Sequence, residues 1–395
     1  MTSSRRAMLK IVGAGLASAT AHSIAGPARA QVAEEAGTDP LQITRKGIDK
    51  KLDVINVELL EAEAKTRLSE GVYVFIANGA GEQWTLHENR RAFDDTVFAP
   101  HRMRGIVRDK IDTSITVLGE KLPHPVFVAP MGSHGLVHPA AEVATAQGAA
   151  RSGALLSVSS ASTASMEDIA KASSGVKWFQ MYLNVDKGLS KEVLQRARDA
   201  GFKAIIFTVD AIGQGSSDEY VRLGRNRPWL PYGNFPTGSA NAFKTDLSWP
   251  DIEFIRSTTG LPVVVKGITR AEDAVAAVKA GASAIQVSNH GGRALDGTPA
   301  AITVLPKIAD ALQGDTPIIM DSGIRRGMDV AKALALGANA VAVGRPVWWA
   351  LTVGGAGGVS GLMDYFNREL VNAMLHLGVD KVASLGREYV VRVSR

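Results

Sequence analysis

Short apolar segments recur along the chain from residue 126 onward, and amphipathic segments separate them. Each apolar run is rich in β-branched residues and ends in glycine or polar residues, which is typical of parallel strands buried on both faces. The eight runs cover residues 126–131, 155–160, 178–183, 204–210, 263–268, 284–289, 318–323 and 340–345. Helical patterns lie between them, for example over residues 140–152, 187–200, 271–280 and 327–336. Eight strand–helix units favour an α/β fold of the closed (β/α)8 TIM-barrel type over an open, doubly wound sheet.

The spacing of these units also divides the chain. The barrel and its C-terminal helices are predicted over residues 121–395, and a helical N-terminal segment over residues 51–120 precedes them. The interval between the fourth and fifth runs is the longest, and residues 211–247 within it are rich in glycine, proline, asparagine and arginine. A loop that follows a barrel strand lies on the face that carries active sites, so we expect this long loop to cover the site.

The first 30 residues have the pattern of an export signal, and residues 31–50 are expected to be a linker. Arg5 and Arg6 precede a mild apolar stretch over residues 11–24, and Ala28-Arg29-Ala30 has the small residues of a cleavage site. The paired arginines resemble a twin-arginine signal, which predicts a periplasmic protein exported in the folded state. The apolar stretch is too short and too rich in glycine, alanine and serine to span a membrane, and we predict no transmembrane segment.

Composition and charge narrow the function classes. The chain has no cysteine, which excludes disulfides, thiolate catalysis, iron–sulfur clusters and cysteine-ligated zinc. The formal net charge is +5, but residues 1–30 carry four basic side chains and no acidic one, so the remainder carries only +1. A nearly neutral body argues against binding to the phosphate backbone of nucleic acids.

Polar and charged residues stand at the carboxyl ends of the predicted strands, where the active sites of TIM barrels lie. Reading these ends in order gives Tyr182, Thr208, Asp210, Lys266, Ser288, His290, Arg293, Asp321, Gly323, Arg325, Gly344 and Arg345. Glycine close to arginine after the seventh and eighth strands is typical of a phosphate site. Glycine lets the backbone approach the phosphate closely, and arginine pairs with the phosphate oxygens. Convergence of so many polar groups favours a site over packing roles, although Ser159 and Thr208 could each simply cap a strand end.

Three longer motifs make a family resemblance specific. They are Val265-Lys266-Gly267, Ser288-Asn289-His290-Gly291-Gly292-Arg293 and Asp321-Ser322-Gly323-Ile324-Arg325-Arg326-Gly327. Together with residues 84–86, 180–182 and 332–338, they resemble the FMN-dependent α-hydroxy-acid oxidase/dehydrogenase family, which includes glycolate oxidase, lactate oxidase and mandelate dehydrogenase. The match runs from about Val72 to the C-terminus. The resemblance implies an FMN enzyme that oxidises a 2-hydroxy acid to the 2-keto acid, and a homotetrameric assembly.

The resemblance also implies a role for each catalytic residue. His290 would take a proton from the substrate while electrons pass to flavin N5, and Asp210 would hold the imidazolium that forms. Tyr182 would hydrogen-bond the substrate oxygen, and Arg293 would pair with its carboxylate or carbonyl. Lys266 would stabilise the reduced flavin beside N1 and O2.

The residues expected to hold FMN follow from the same resemblance. Those lining the isoalloxazine would be Ala129, Pro130, Met131, Gly132, Ser159, Gln180 and Thr208. Asp321 would bind the ribityl hydroxyls, and Ser288 would also contact the cofactor. The phosphate would be held by Gly323, Arg325, Gly344 and Arg345.

Two positions depart from the family pattern, and both concern the substrate. A tyrosine of the family's N-terminal segment aligns with Phe75, and the arginine that clamps the substrate carboxylate aligns with Ser217. Loss of a bidentate arginine removes a charge-assisted pair worth about 1.5–3 kcal/mol. We therefore predict complete flavin machinery and an altered substrate site, in which Arg222 or Arg225 could reach back to replace the clamp.

The substrate and the electron acceptor remain open from the sequence alone. A close variant would apply the same flavin chemistry to a hydroxy amide, ester or amine. The sequence is also compatible with an isomerase-type flavin barrel and with a catalytically degenerate, exported flavin-binding protein. Gly132 stands where oxidases of this family tend to carry alanine, which favours a dehydrogenase that passes electrons to a periplasmic cytochrome or a quinone.

Overall fold

Residues 47–213, 215–236 and 242–393 are described in the computed structural model of the protein. Eight parallel strands within them pair in chain order, and the eighth pairs with the first, so the sheet closes into a barrel. The strands are Val126–Met131, Leu156–Ser159, Lys177–Met181, Ile205–Thr208, Val263–Ile268, Ala284–Val287, Ile318–Met320 and Ala340–Val343. Each overlaps one predicted apolar run, and the predicted TIM barrel is confirmed. The predicted export signal lies outside the described residues.

Helices connect the barrel strands, and further short elements precede and follow them. The helices after the first strand are Ala141–Ser152, Met166–Ala172, Lys187–Asp199, Asp218–Arg222, Pro250–Thr259, Ala271–Lys279, Ala301–Leu312, Gly327–Ala335 and Arg345–Leu377. Those before it are Val57–Lys65, Glu70–Ala77 and Trp84–Arg91. Two antiparallel pairs join Thr96–Phe98 to Val390–Arg392 and Ile115–Val117 to Glu120–Leu122. No helix in the described ranges is long and apolar enough to cross a membrane.

The barrel interior is apolar near the amino ends of the strands. Phe127 and Trp178 pack edge to face there, with ring centroids 5.7 Å apart. The same cluster contains Val117, Leu122, Ile206, Val264 and Ile319. Since Val117 and Leu122 belong to the hairpin over residues 115–122, this hairpin closes that end of the barrel.

Further along each strand the interior becomes polar. Because strand side chains alternate between faces, the residue two positions after an inward-facing apolar one also faces inward. Gln180 thus follows Trp178, and Lys266 follows Val264, both almost fully buried. Buried polar residues occupy the equivalent positions of other strands: Ser159, Thr208 and Asp321. The carboxyl end of the barrel is therefore lined by buried polar groups.

Candidate active site

A cavity of about 320 Å³ opens at the carboxyl ends of the barrel strands. The predicted residues that line it are Phe75, Ala129, Pro130, Met131, Gly132, Ser159, Tyr182, Lys266, His290, Arg293, Asp321, Gly323, Arg325, Gly344 and Arg345. Five predicted residues are not part of its lining: Gln180, Thr208, Asp210, Ser217 and Ser288. Four of these five neighbour the lining side chains through strand pairing or hydrogen bonds, whereas Ser217 has a different role.

The side chain of His290 is held by Asp210. His290 Nδ1 lies 2.8 Å from Asp210 Oδ1. Burial by itself would raise the pKa of Asp210, but the charges of Lys266 and His290 lower it to about 2. A carboxylate ionised at neutral pH favours the tautomer that carries its proton on Nδ1, so the basic nitrogen of the neutral ring is Nε2.

The backbone that presents His290 turns sharply after the sixth strand. His290, Gly291 and Gly292 have φ values of 57°, 64° and 74°. A Cβ atom at Gly292 would lie 2.7 Å from the backbone nitrogen of Leu86, so glycine is required by close packing as well as by φ. The two glycines of this motif therefore allow the histidine to project from the strand end into the cavity.

Tyr182 and Lys266 stand on either side of the imidazole. The Tyr182 hydroxyl lies 3.4 Å from His290 Nε2, and Lys266 Nζ lies 3.5 Å from His290 Nδ1 and 4.0 Å from Asp210 Oδ1. Burial and the charge of Asp210 raise the pKa of Tyr182, so its hydroxyl keeps its proton at neutral pH. The four side chains thus form one cluster with a hydroxyl and a basic nitrogen facing the cavity.

Several buried polar atoms next to the cavity lack hydrogen-bond partners, among them Asp210 Oδ2, Trp348 Nε1 and two donors on neighbouring strands. Ser159 Oγ donates to Gln180 Oε1 at 2.9 Å, whereas the other end of this amide, Gln180 Nε2, has no partner. Thr208 Oγ1, on the next strand, is also buried and unpaired. Unsatisfied buried donors are costly, so this pair fits a bound group that supplies acceptors, as the heteroatoms of a flavin ring do.

Asp321 is held in place by its neighbours. Gln286 Nε2 donates to its Oδ2 at 2.6 Å, and the hydroxyls of Ser288 and Ser322 donate to its Oδ1 at 2.7 Å. Ser288 therefore orients Asp321, which itself lines the cavity.

Two arginines of the cavity are anchored on the C-terminus of the helix Glu70–Ala77. Arg293 Nη1 donates to the carbonyl of Phe75 at 2.7 Å, and Arg345 Nε donates to that of Ile76 at 3.0 Å. Both also donate to the carbonyl of Asn78. The last carbonyls of a helix have no partners within it and carry negative partial charge, which explains why two guanidinium groups dock here.

Three arginines of the cavity have no carboxylate partner among the described residues: Arg345, which is buried, and Arg293 and Arg325, which are partly exposed. Burial lowers the pKa of Arg293 and of Arg325 to about 10, and it lowers that of Arg345 strongly. Arg325 Nη1 donates only to the carbonyl of the preceding Ile324. Uncompensated buried charge is unfavourable, so the cavity fits anionic ligands such as a phosphate and a carboxylate.

The two positions that depart from the family pattern lie in different surroundings. Phe75 lines the cavity, with the guanidinium carbons of Arg227 and Arg293 at 4.3 and 5.0 Å from its ring centroid. Ser217 is 2% exposed, and its hydroxyl caps the helix Asp218–Arg222 by accepting from the backbone nitrogen of Tyr220 at 3.1 Å. Ser217 therefore has a structural role and does not line the cavity.

Several cavity residues were not predicted from the sequence. They are Ser133, Ala161, Ala211, Tyr232, Phe243, Ser322, Ile324, Ala342, Val343 and Trp348, with Gly291 of the histidine motif. Tyr232 and Phe243 belong to the long loop, where no periodicity indicates which side chains turn inward. Trp348 follows Arg345 by three residues, one helical turn, which is the signal that could have identified it.

A model of the family "FMN-dependent dehydrogenase" matches residues 64–392. The chain is 40% identical over 359 residues to L-lactate oxidase of Nostoc sp., with 85% of this chain and 98% of the relative covered. It is 37% identical to glycolate oxidase 1 of Oryza sativa subsp. indica, with 86% and 96% covered.

Solved structures give the same result. A lactate oxidase of Pediococcus acidilactici superposes with a TM-score of 0.85 at 38% identity, covering 88% of this chain and 97% of that one. A mandelate oxidase in complex with (S)-2-phenylpropionate superposes with a TM-score of 0.80 at 38% identity, covering 85% and 97%. The family match covers most of the chain, and the cavity is compatible with a flavin. This protein therefore belongs to the FMN-dependent α-hydroxy-acid oxidase/dehydrogenase family and uses FMN as its cofactor.

Proposed function

We propose that this enzyme oxidises a 2-hydroxy acid to the corresponding 2-keto acid, with His290 as the base. The oxidation removes two electrons and two protons from the hydroxyl-bearing carbon and its oxygen. FMN, when bound, would accept the two electrons together with one of the two protons, and the other proton passes to His290. Gln180 and Thr208 would contact its ring, Asp321 its ribityl chain, and Arg325 and Arg345 its phosphate.

The single observation that carries the proposal is the position of His290 Nε2. Nδ1 is occupied by Asp210, and Nε2 faces the cavity beside the Tyr182 hydroxyl. Nε2 receives one substrate proton, and Asp210 stabilises the imidazolium that results. Tyr182 donates a hydrogen bond to the substrate oxygen, and Arg293 attracts the carboxylate.

The arginines of the cavity also favour an acid over a neutral substrate. A hydroxy amide, ester or amine would leave the charge of Arg293 uncompensated, whereas a carboxylate neutralises it. Anaerobic mixing of the FMN-loaded enzyme with a panel of 2-hydroxy acids and their amides tests the proposal through the flavin absorbance. Bleaching by one or more acids supports it. Bleaching by amides alone supports the neutral-substrate variant, and bleaching by no compound supports a degenerate or non-redox flavin protein.

We propose further that electrons leave the enzyme for an acceptor other than oxygen, a periplasmic cytochrome or a quinone. Gly132 on the cavity wall supports a dehydrogenase, although the lactate and mandelate relatives are named as oxidases. Reoxidation of the reduced enzyme by air should be slow, and reoxidation by an artificial dye should be fast. Rapid, stoichiometric peroxide formation would establish an oxidase instead.

Export by the twin-arginine route and assembly as a homotetramer complete the proposal. Arg5 and Arg6 support the first, and the family resemblance supports the second. Conservative replacement of both arginines by lysine should leave the protein in the cytoplasm, and unchanged export would refute the route. Light scattering of the purified protein measures the subunit number.

A further inference from the structure

Arg227, in the long loop after the fourth strand, packs against the cavity residue Phe75 without itself lining the cavity. Its guanidinium carbon lies 4.3 Å from the ring centroid of Phe75, which lines the cavity. The same ring lies 5.0 Å from the guanidinium carbon of Arg293. Phe75 therefore contacts two cations at one edge of the cavity, and cation–π attraction favours both placements.

Neither of these two cations is neutralised by the protein. Arg227 Nη1 donates to the carbonyl of Pro228 at 3.2 Å, and Arg293 donates through Nη1 to backbone carbonyls. No carboxylate in the described part of the chain forms an ion pair with either group. Burial is the largest cause of the lowered pKa of Arg293, and the charge of Arg227 lowers that pKa further. The two charges therefore interact. Two like charges that interact without a counterion favour binding of an anion.

Arg222 and Arg225, which belong to the same loop, have no ring contact of this kind with Phe75 in the described part of the chain. Both side chains are exposed. Arg225 instead receives a hydrogen bond from the Tyr220 hydroxyl on its carbonyl, at 3.0 Å. The chain then turns, with the backbone nitrogen of Arg227 donating to the Arg225 carbonyl at 2.9 Å, and this turn directs residue 227 toward Phe75.

We propose that Arg227 is the second cation of the substrate's anion site and acts together with Arg293 across Phe75. The inference rests on the proposed function, since it assigns the residue that makes this site prefer carboxylates to neutral analogues. Ser217 stands where the family carries a cationic arginine, and Arg227, ten residues further along the same loop, supplies the positive charge instead. Arg227 is a specificity-determining residue under this assignment, and proton transfer by His290 does not depend on it.

The test compares Arg227→Met with Arg222→Met. Methionine keeps an apolar contact with Phe75 while removing the charge, and Arg222 is an exposed arginine of the same loop. For each variant, KM and the rate of flavin reduction are measured with a 2-hydroxy acid and with its uncharged amide. We expect Arg227→Met to raise KM for the acid about tenfold or more, to leave KM for the amide within about twofold, and to retain FMN. Arg227→Lys should recover part of the acid preference.

Three outcomes would overturn the inference. Equal effects of Arg227→Met on acid and amide would indicate a packing role, and equal effects of Arg227→Met and Arg222→Met would indicate general electrostatic attraction. Failure of the proposed function is recognised separately, because the wild-type flavin would then not be reduced by any acid. In that case 2-hydroxy-2-methylpropanoate, which lacks the hydrogen to be removed, serves as a probe. Its dissociation constant, read from the flavin spectrum, should still rise in Arg227→Met, and an unchanged constant would refute the anion site.

Discussion

The Nδ1 atom of His290 lies 2.8 Å from Oδ1 of Asp210, although 80 residues separate them in the chain. The contact joins the turn after the sixth strand to the end of the fourth, and it determines which imidazole nitrogen meets the substrate. An ionised Asp210 makes Nε2 the proton acceptor and stabilises the ring once it is protonated.

Replacement of His290 by glutamine should slow flavin reduction by about 10²–10⁴-fold while FMN stays bound, because a positioned base contributes that much to the rate. Stopped-flow absorbance measures this rate. His376→Gln is the matched control, since His376 is exposed on the helix Arg345–Leu377. A wild-type rate in His290→Gln would refute the assignment of the base.

Replacement of Asp210 by asparagine should change the stability of the protein at acid pH. The pKa of Asp210 in the fold, about 2, lies below its ordinary value of 3.8, so the unfolded chain binds more protons between these values. The ionised group therefore stabilises the fold fully above about pH 4, and this contribution is lost as the pH falls toward 2. It amounts to on the order of 2 kcal/mol.

Urea unfolding of wild type and Asp210→Asn at several pH values from 3 to 7 measures this contribution. The difference in the free energy of unfolding should shrink as the pH falls. Asp94→Asn, at an exposed position, should show no such trend. A difference that is independent of pH would contradict the lowered pKa.

Replacement of Gly132 by alanine should destabilise the protein by about 1–3 kcal/mol. A Cβ atom at this position would lie 2.6 Å from the carbonyl oxygen of Ala161, which also accepts a hydrogen bond from the backbone nitrogen of Ser133. The loop after the second strand must therefore move to admit alanine. Thermal unfolding of Gly132→Ala beside Gly213→Ala, whose Cβ would meet open space, provides the measurement. Equal stability of both variants would show that the loop adapts freely.

Removal of the Arg345 and Arg325 side chains should distinguish a role in FMN binding from a role in the stability of the fold. Both Arg345→Met and Arg325→Met should weaken FMN binding, which equilibrium dialysis measures. Only Arg345→Met should also lower the stability of the apoprotein, by about 1–3 kcal/mol, because Ile76 and Asn78 carbonyls lose a donor. Equal stability of the two apoproteins would mean that Arg345 does not anchor the helix Glu70–Ala77.

Introduction of arginine at position 217 should fail to create a carboxylate clamp. Ser217 is buried and caps a helix, and loss of such a cap costs about 0.5–2 kcal/mol. Ser217→Arg should therefore lower the melting temperature without improving KM for an acid, whereas Ser217→Thr keeps the capping hydroxyl. An improved KM for the acid in Ser217→Arg would show that position 217 does reach the substrate.

The residue pattern by itself determined the barrel and the polar strand ends, and the resemblance to a known family supplied the remaining predicted cavity residues. Eight β-branched runs at regular intervals are a local signal, and strand alternation places Gln180, Thr208 and Lys266 inward once the strands are known. The motif Ser288 to Arg293 carries His290 on two glycines whose conformation no other residue adopts easily. These features depend on the nearest neighbours in the chain, and the pattern of residues is therefore sufficient to predict them.

Only the tertiary structure decided the roles that depend on distant contacts in the chain. Ser217 aligns with a substrate-binding arginine of the family, yet its hydroxyl caps a helix. Arg227 contacts Phe75 from a loop whose sequence has no periodicity. The requirement for glycine at position 132 comes from the backbone of Ala161, and the anchoring of Arg345 comes from carbonyls more than 260 residues away. Such contacts are set by the closure of the barrel and by the packing of the loops on it, and spacing along the chain does not encode them.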